Sequence, residues 1–150
     1  MEYKTQVTQN EERKVVQISF NGNSSEWIVD AYSCFSFSNG TITNYSNSCT
    51  KDVVIPSKIW NQDVTSIGNL AFASKFLTSV TMPDSILAIG NNAFAYSQLT
   101  SVNIPSSVVF IDSSAFRNNQ ITSVTIGNNV ASIGDGAFAN NQLTSVVIPD

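Results

Sequence analysis

Between residues 67 and 149 the apolar positions return at a fixed interval of 22 residues. Phe72, Phe94, Phe116 and Phe138 mark the interval, and the same step superposes Ile67, Ile89, Ile111 and Ile133, then Ala71, Ala93, Ala115 and Ala137, then Val80, Val102, Val124 and Val146. Leu77, Leu99, Ile121 and Leu143 form a further apolar column, as do Met82, Ile104, Ile126 and Ile148, with no gap needed. A strict period in this range is the signature of a solenoid, whose units bury their apolar faces against one another. One unit has too few apolar side chains to offset the conformational entropy of ordering its backbone. Stacking supplies a second buried side and pairs strands from one unit to the next.

Within a repeat the pattern changes period. In Leu99–Pro105 the apolar residues Val102 and Ile104 lie two apart, as the inward positions of a strand do, so Ser101 and Asn103 face solvent. Pro105 has no N–H for the ladder and ends the strand. The later Val108–Ile111 spacing predicts cover for the opposite wall. A glycine column follows at Gly68, Gly90 and Gly134, where Asp112 stands in the third repeat, and this predicts a left-handed corner because Asp tolerates positive φ better than most residues. Ala115-Phe116 is expected in a short helical turn, the small residue allowing close approach and the ring filling the core.

These residues resemble the BspA-like (bacterial surface protein A-like) leucine-rich repeats, marked by I-G-x-x-A-F alternating with L-T-x-V-x-I-P. Ile67-Gly68 with Ala71-Phe72, Ile89-Gly90 with Ala93-Phe94, and Ile133-Gly134 with Ala137-Phe138 carry the motif, and Ile111-Asp112 with Ala115-Phe116 departs from it at one position. The resemblance covers residues 53–150 as about four repeats, the last one truncated. It implies a mainly β solenoid of the α/β kind: a right-handed superhelix with a parallel sheet and short helical turns. For function it implies only a secreted or cell-surface binding role, because members of the family differ widely in what they bind.

The chain before the repeats, residues 1–52, is expected to be an arm and a β cap. Met1–Lys14 is polar and charged with no apolar core of a signal peptide, so an export signal is not expected in this segment; these residues predict either a loose arm or a first edge strand. From Val15 the pattern alternates, through Val15–Phe20, Trp27–Val29 and Cys34–Phe37, punctuated by Asn21-Gly22 and Asn39-Gly40. Asn-Gly between alternating apolar residues signals a hairpin, because both residues accept positive φ, so Phe35–Phe37 should pair with Thr41–Thr43. The hairpin is read as a cap over the open apolar end of the first repeat, against the alternative of a ligand-binding head. Cys34 and Cys49 flank it and are a candidate disulfide, against the alternative of two buried thiols. Residues 53–72 read as a first repeat lengthened by five residues around Ser57–Asp63, and the entry through Val53-Val54-Ile55-Pro56 is similar to that of some pilin-like surface proteins.

Composition narrows the function. Histidine is absent, which removes the usual general base and the commonest transition-metal ligand; Asp84, Asp112 and Asp135 occupy different repeat positions, and no phosphate or calcium loop is present. Neither enzyme activity nor a cofactor or metal is expected. The seven Lys and Arg are scattered and the net charge is -4, which argues against nucleic acid, and no apolar run is long enough for a membrane helix. Asn-x-Ser/Thr triplets at Asn23, Asn39 and Asn44 are attributed to chance in an Asn-rich chain.

Surface remains. The outward strand positions Ser79, Thr81, Ser101, Asn103, Ser123, Thr125, Ser145 and Val147 form the candidate binding face. Its small uncharged residues favour a protein partner, on a host or cell surface, over a glycan, since this face lacks an aromatic platform and the exposed-aromatic candidates are Tyr96 and Trp60. Two alternatives are ice binding, suggested by the Thr column at 78, 100, 122 and 144, and a structural spacer within a larger surface protein. The sequence ends on a begun strand, Val146-Val147-Ile148-Pro149, so Ile133 and Phe138 are expected to be partly uncovered. The expectation is that repeats continue past residue 150 or that two copies associate end to end.

Overall fold

The structure, a computed structural model, describes residues 5–10, 13–20, 23–30 and 32–148, and for the first three segments strand pairing alone. The chain divides into two compact units, Met1–Cys34 and Phe35–Asp150. The first is an antiparallel sheet of β1 (Thr5–Asn10), β2 (Arg13–Phe20) and β3 (Asn23–Asp30), in that order. Thr5–Asn10 is thus an edge strand, one of the two readings its polar sequence allowed. The register Phe20↔Asn23 leaves two residues to join β2 and β3, as expected for Asn21-Gly22, which themselves lie outside the described residues.

The second unit begins with β4 (Phe35–Ser38) and β5 (Thr41–Tyr45), an antiparallel hairpin with one irregularity between Ser36 and Phe37. Its turn is Asn39-Gly40, with φ of 49° and 77°, the left-handed pair that the dipeptide predicts. There follow β6 (Asp52–Val54), β7 (Lys58–Ile59), β8 (Gln62–Asp63) and β9 (Ser66–Ile67). β7 and β8 pair as a small hairpin over Trp60-Asn61, which is where the extra residues of the lengthened repeat go. Three further rungs then supply β10 (Ser79–Thr81) and β11 (Ala88–Ile89), β12 (Ser101–Asn103) and β13 (Phe110–Ile111), and β14 (Ser123–Thr125) and β15 (Ser132–Ile133), before β16 (Ser145–Val147).

Each rung thus gives a three-residue strand to one wall and a two-residue strand to the other. The second wall is a six-stranded sheet in the order β15-β13-β11-β9-β5-β4, parallel throughout except for the β4–β5 hairpin. Its register places Ile42, Ile67, Ile89, Ile111 and Ile133 side by side. The hairpin is therefore sewn onto the repeats: the Gly40 carbonyl accepts from Thr65 and Ser66 N–H, and the Ile42 carbonyl from Gly68 N–H at 2.8 Å.

Between the walls run the apolar columns. Phe72, Phe94 and Phe116 are fully buried and stack nearly parallel, with centroids 4.9 and 5.2 Å apart, and Phe138 continues the column at 5.2 Å. Tyr45 opens it, 5.2 Å from Phe72, with Phe35 packed on both rings. Offset-stacked rings add to the free energy of burial by roughly 0.5–1.5 kcal/mol per pair. The Tyr45 hydroxyl donates to the Thr50 carbonyl at 2.9 Å, and burial raises the phenol above its ordinary pKa.

Three expectations are corrected. The Ala-Phe segments are turns, and no helix occurs among the described residues. The reason is where the amides point: Phe72, Phe94 and Phe116 N–H donate across to the Ala93, Ala115 and Ala137 carbonyls of the next rung instead of back along the chain. Left-handed residues on either side, such as Asn92 and Tyr96, also stop helical propagation. The glycine column is not a left-handed corner either, since Gly68, Gly90, Gly134 and Asp112 do not have positive φ. Positive φ falls two residues later, at Leu70, Asn92, Ser114 and Gly136. The column is set by close approach of neighbouring rungs: a Cβ on Gly134 would lie 2.4 Å from Ser113 N, and one on Gly90 2.8 Å from Asn69 N. Finally, the first wall is not one parallel sheet. β6–β10 and β12–β14–β16 are separate ladders, with no strand pairing between β10 and β12.

Candidate binding faces

The first wall presents the expected columns. Ser79, Thr81, Ser101, Asn103, Ser123, Thr125, Ser145 and Val147 are all exposed, while Val102, Ile104, Val124 and Ile126 point inward and are buried. The register Ser101↔Ser123↔Ser145 and Asn103↔Thr125↔Val147 brings six of the eight into one ladder. Ser79 and Thr81 belong to the other ladder, beside Asp52 and Val54, and the Ser79 hydroxyl donates to the Asp52 carboxylate. The adjoining Thr column is exposed, but three of its four hydroxyls are engaged along the stack: Thr78 donates to the Lys51 carbonyl, Thr122 to the Thr100 carbonyl and Thr144 to the Thr122 carbonyl.

One polar column behind the wall differs between the two ladders. Asn119 is buried, and its side chain accepts from Leu99 N–H at 3.1 Å while donating to the Phe94 and Phe116 carbonyls at 2.9 and 3.0 Å. Asn141 repeats this with Ile121 N–H and the Phe116 and Phe138 carbonyls. One period earlier stands Ser97, buried, whose hydroxyl has no hydrogen-bond partner. Serine is too short to span two rungs. At that same junction Thr122 N–H→Thr100 and Ile104 N–H→Thr125 have no counterparts at Thr100 and Met82. The Gln98 N–H bond to the Leu77 carbonyl, at 2.8 Å, persists.

The second wall carries what the sequence reading missed. Phe110, on β13, is 56% exposed, and Leu87, just before β11, is 49% exposed, its carbonyl accepting from Val109 N–H at 2.8 Å. Phe110 pairs in register with Ala88 and Ser132, and Ser66 is the next residue in that row. A groove of about 370 Å³ runs along this wall, lined by Ala88, Gly90, Phe110, Asp112, Ser132 and Gly134 together with the column of isoleucines. The signal was present in the sequence: an aromatic ring in a column otherwise Ser, Ala and Ser.

Of the aromatic candidates, Tyr96 is exposed, and Trp60 is half exposed with its ring edge-on to Phe37 at 6.4 Å. Both cysteines are disulfide-bonded. Among the described residues there is no group of three metal-ligating side chains, Lys58–Asp63 is the one ion pair, and no helix is long and apolar enough to cross a membrane. At the last rung Ile133, Val146, Val147 and Ile148 are exposed and Phe138 is half-buried, as the sequence led us to expect.

A stack of parallel rungs with a phenylalanine spine and interlocking asparagines defines a leucine-rich-repeat solenoid. The chain belongs to the BspA-type leucine-rich-repeat family, whose model matches six copies over residues 41–150. It is similar in fold to a crystallised leucine-rich repeat protein from Bacteroides capillosus ATCC 29799, at 24% identity and a TM-score of 0.63, with 96% of this chain and 99% of that one covered. No curated protein matches the chain.

Proposed function

We propose that the chain is a non-catalytic protein-binding module of a secreted or cell-surface protein, serving adhesion through its first wall. The observation that carries the reading is the wall itself: eight small, outward side chains on two strand ladders, none of which the core needs. Rigid strands present such side chains with little entropy left to lose on binding. In this reading the β4–β5 hairpin and the residues up to 52 cap the stack, residues 53–150 present the face, and the winding is right-handed like nearly all parallel crossovers. A host or cell-surface protein is favoured over a glycan, because no aromatic ring lies in these columns.

The test is attachment. Beads coated with the chain should adhere to epithelial cells, and a variant with Ser101, Asn103, Ser123 and Thr125 all changed to Glu should lose that adhesion while keeping its melting temperature. Protease treatment of the cells should abolish attachment and glycosidase treatment should spare it. Equal attachment by the variant sinks the reading. Ice binding is the weaker alternative, because Thr78, Thr122 and Thr144 direct their hydroxyl protons at backbone carbonyls instead of outward. A measurable thermal hysteresis would reinstate it. An inert coated bead would favour a spacer.

A further inference from the structure

Two residues of the second wall break their columns, and they lie two apart on one strand. Phe110 stands where the other rungs have Ser66, Ala88 and Ser132, and Asp112 stands where they have Gly68, Gly90 and Gly134. Neither change is needed to stack the rungs, although the Asp112 carboxylate accepts from Ser113 N–H at 2.7 Å within its own turn. The ring points outward, 56% exposed, when its neighbours show that a small residue suffices, and the carboxylate occupies a column kept bare by close approach of the rungs. Both line the same groove of about 370 Å³, a volume suited to a few side chains of a ligand.

On the neighbouring rung Leu87 is also exposed, and its carbonyl accepts from Val109 N–H and Phe110 N–H. The rim is acidic: Asp112 lines the groove, Asp135 adjoins its Gly134, both are exposed, and neither is ion-paired among the described residues. No Lys or Arg lines the groove. An aromatic face in the same groove as an exposed carboxylate that has no ion-pair partner among the described residues complements a cation on an aliphatic stem, with the stem on the ring and the charge toward the carboxylate.

We propose that this groove binds a segment of a partner protein rich in Lys or Arg and aliphatic residues. The site is on the other wall from the proposed adhesion face and does not depend on that reading. The ¹⁵N-labelled chain is titrated with a capped octapeptide of alternating lysine and leucine, and in parallel with its glutamate–leucine counterpart and with maltohexaose. Expected are amide shifts confined to Ala88–Gly90, Phe110–Asp112 and Ser132–Gly134 with the lysine peptide alone. Phe110→Ser should weaken binding by about tenfold or more, as loss of a desolvated cation–π contact and its apolar burial requires. Asp112→Gly should weaken it several-fold, and so should raising salt from about 50 to 300 mM. Both substitutions copy residues found in the same columns; should Phe110→Ser misfold, Asp112→Gly and the salt series decide. Unchanged affinity in the substituted chain, equal binding of the glutamate peptide, or shifts spread over the whole surface would overturn the proposal. Binding of maltohexaose alone through these residues would assign a glycan site instead.

Discussion

Two junctions in the same stack, built from the same apolar columns, behave differently. Between the Phe94 and Phe116 rungs, Asn119 joins one rung's Leu99 amide to two carbonyls, β12 pairs with β14, and Thr122 bonds Thr100 through both its amide and its hydroxyl. Between the Phe72 and Phe94 rungs, Ser97 reaches nothing and the first-wall ladder stops. Yet on the far side the rungs stay joined: Phe72 and Phe94 stack at 4.9 Å, and β9 pairs with β11. The stacked apolar columns and the second-wall strand pairing together hold this junction closed. From β12 to β16 the continuous first wall coincides with side chains, Asn119 and Asn141, long enough to link rungs from inside.

The largest effect should come from the term both junctions share. Phe116 is fully buried between two rings, and Phe116→Ala leaves a cavity the flanking rungs cannot close. We expect a loss of roughly 3–5 kcal/mol by chemical denaturation. An unmoved denaturation midpoint would show that the ring column is not what both junctions rest on.

Next comes the hairpin end, which separates effects at the end of the stack from effects at its junctions. Mass spectrometry without reductant should find the chain two hydrogens lighter than its reduced form, with Cys34 and Cys49 joined. Reduction should destabilise the chain by roughly 3 kcal/mol for a loop of this size. Exchange at the Leu99 amide should change only through that global loss. Two free thiols in protein from its native compartment would remove the staple from the comparison.

Converting the tight junction into the loose one is a smaller change. Asn119→Ser strips the Leu99 amide and the Phe94 carbonyl of their side-chain partner and leaves the Phe116 carbonyl with Asn141 alone, at a cost of about 2 kcal/mol. Hydrogen exchange should then quicken at Leu99 and along β12 and β14. If stability falls while exchange in β12 and β14 stays slow, the asparagine holds its own turn but not the wall.

These contrasts also show which features were legible in the sequence. The Phe, Ile and Val columns could be read because burial acts on each rung alike, and the Asn39-Gly40 hairpin because its backbone conformation restricts which residues fit. Tyr45 was harder: it heads the ring column, but the β7–β8 insertion shifts it out of the 22-residue phase. The glycine column was recognised and its cause misread, since close packing and left-handed backbone both select glycine. The outward Ser and Thr columns followed from strand alternation, whereas Phe110 sat in an apolar run, Val108–Ile111, where an exposed ring resembles a buried one. Ser97 and Asn119 looked alike as polar loop residues; only side-chain length, acting across a rung spacing, distinguishes them.

The finest test repairs the loose junction. In Ser97→Asn, the new amide would stand one period before Asn119, with the Leu77 amide and the Phe72 and Phe94 carbonyls in the places that Leu99, Phe94 and Phe116 hold for Asn119. It would replace a buried hydroxyl that has no partner, so the change removes an unmet polar group as well as adding bonds. A net gain of about 1 kcal/mol is expected, since most of each hydrogen bond's strength is offset by desolvation. The more telling readout is local. The Leu77 amide has no hydrogen bond to another described residue, and in the variant its exchange should slow toward that of Leu99, with Met82 and Thr100 following as β10 and β12 draw together. If Leu77 becomes protected but Met82 and Thr100 do not, the gap in the wall is set by something other than position 97, and Met82, which replaces the isoleucine of the next two rungs, becomes the residue to exchange.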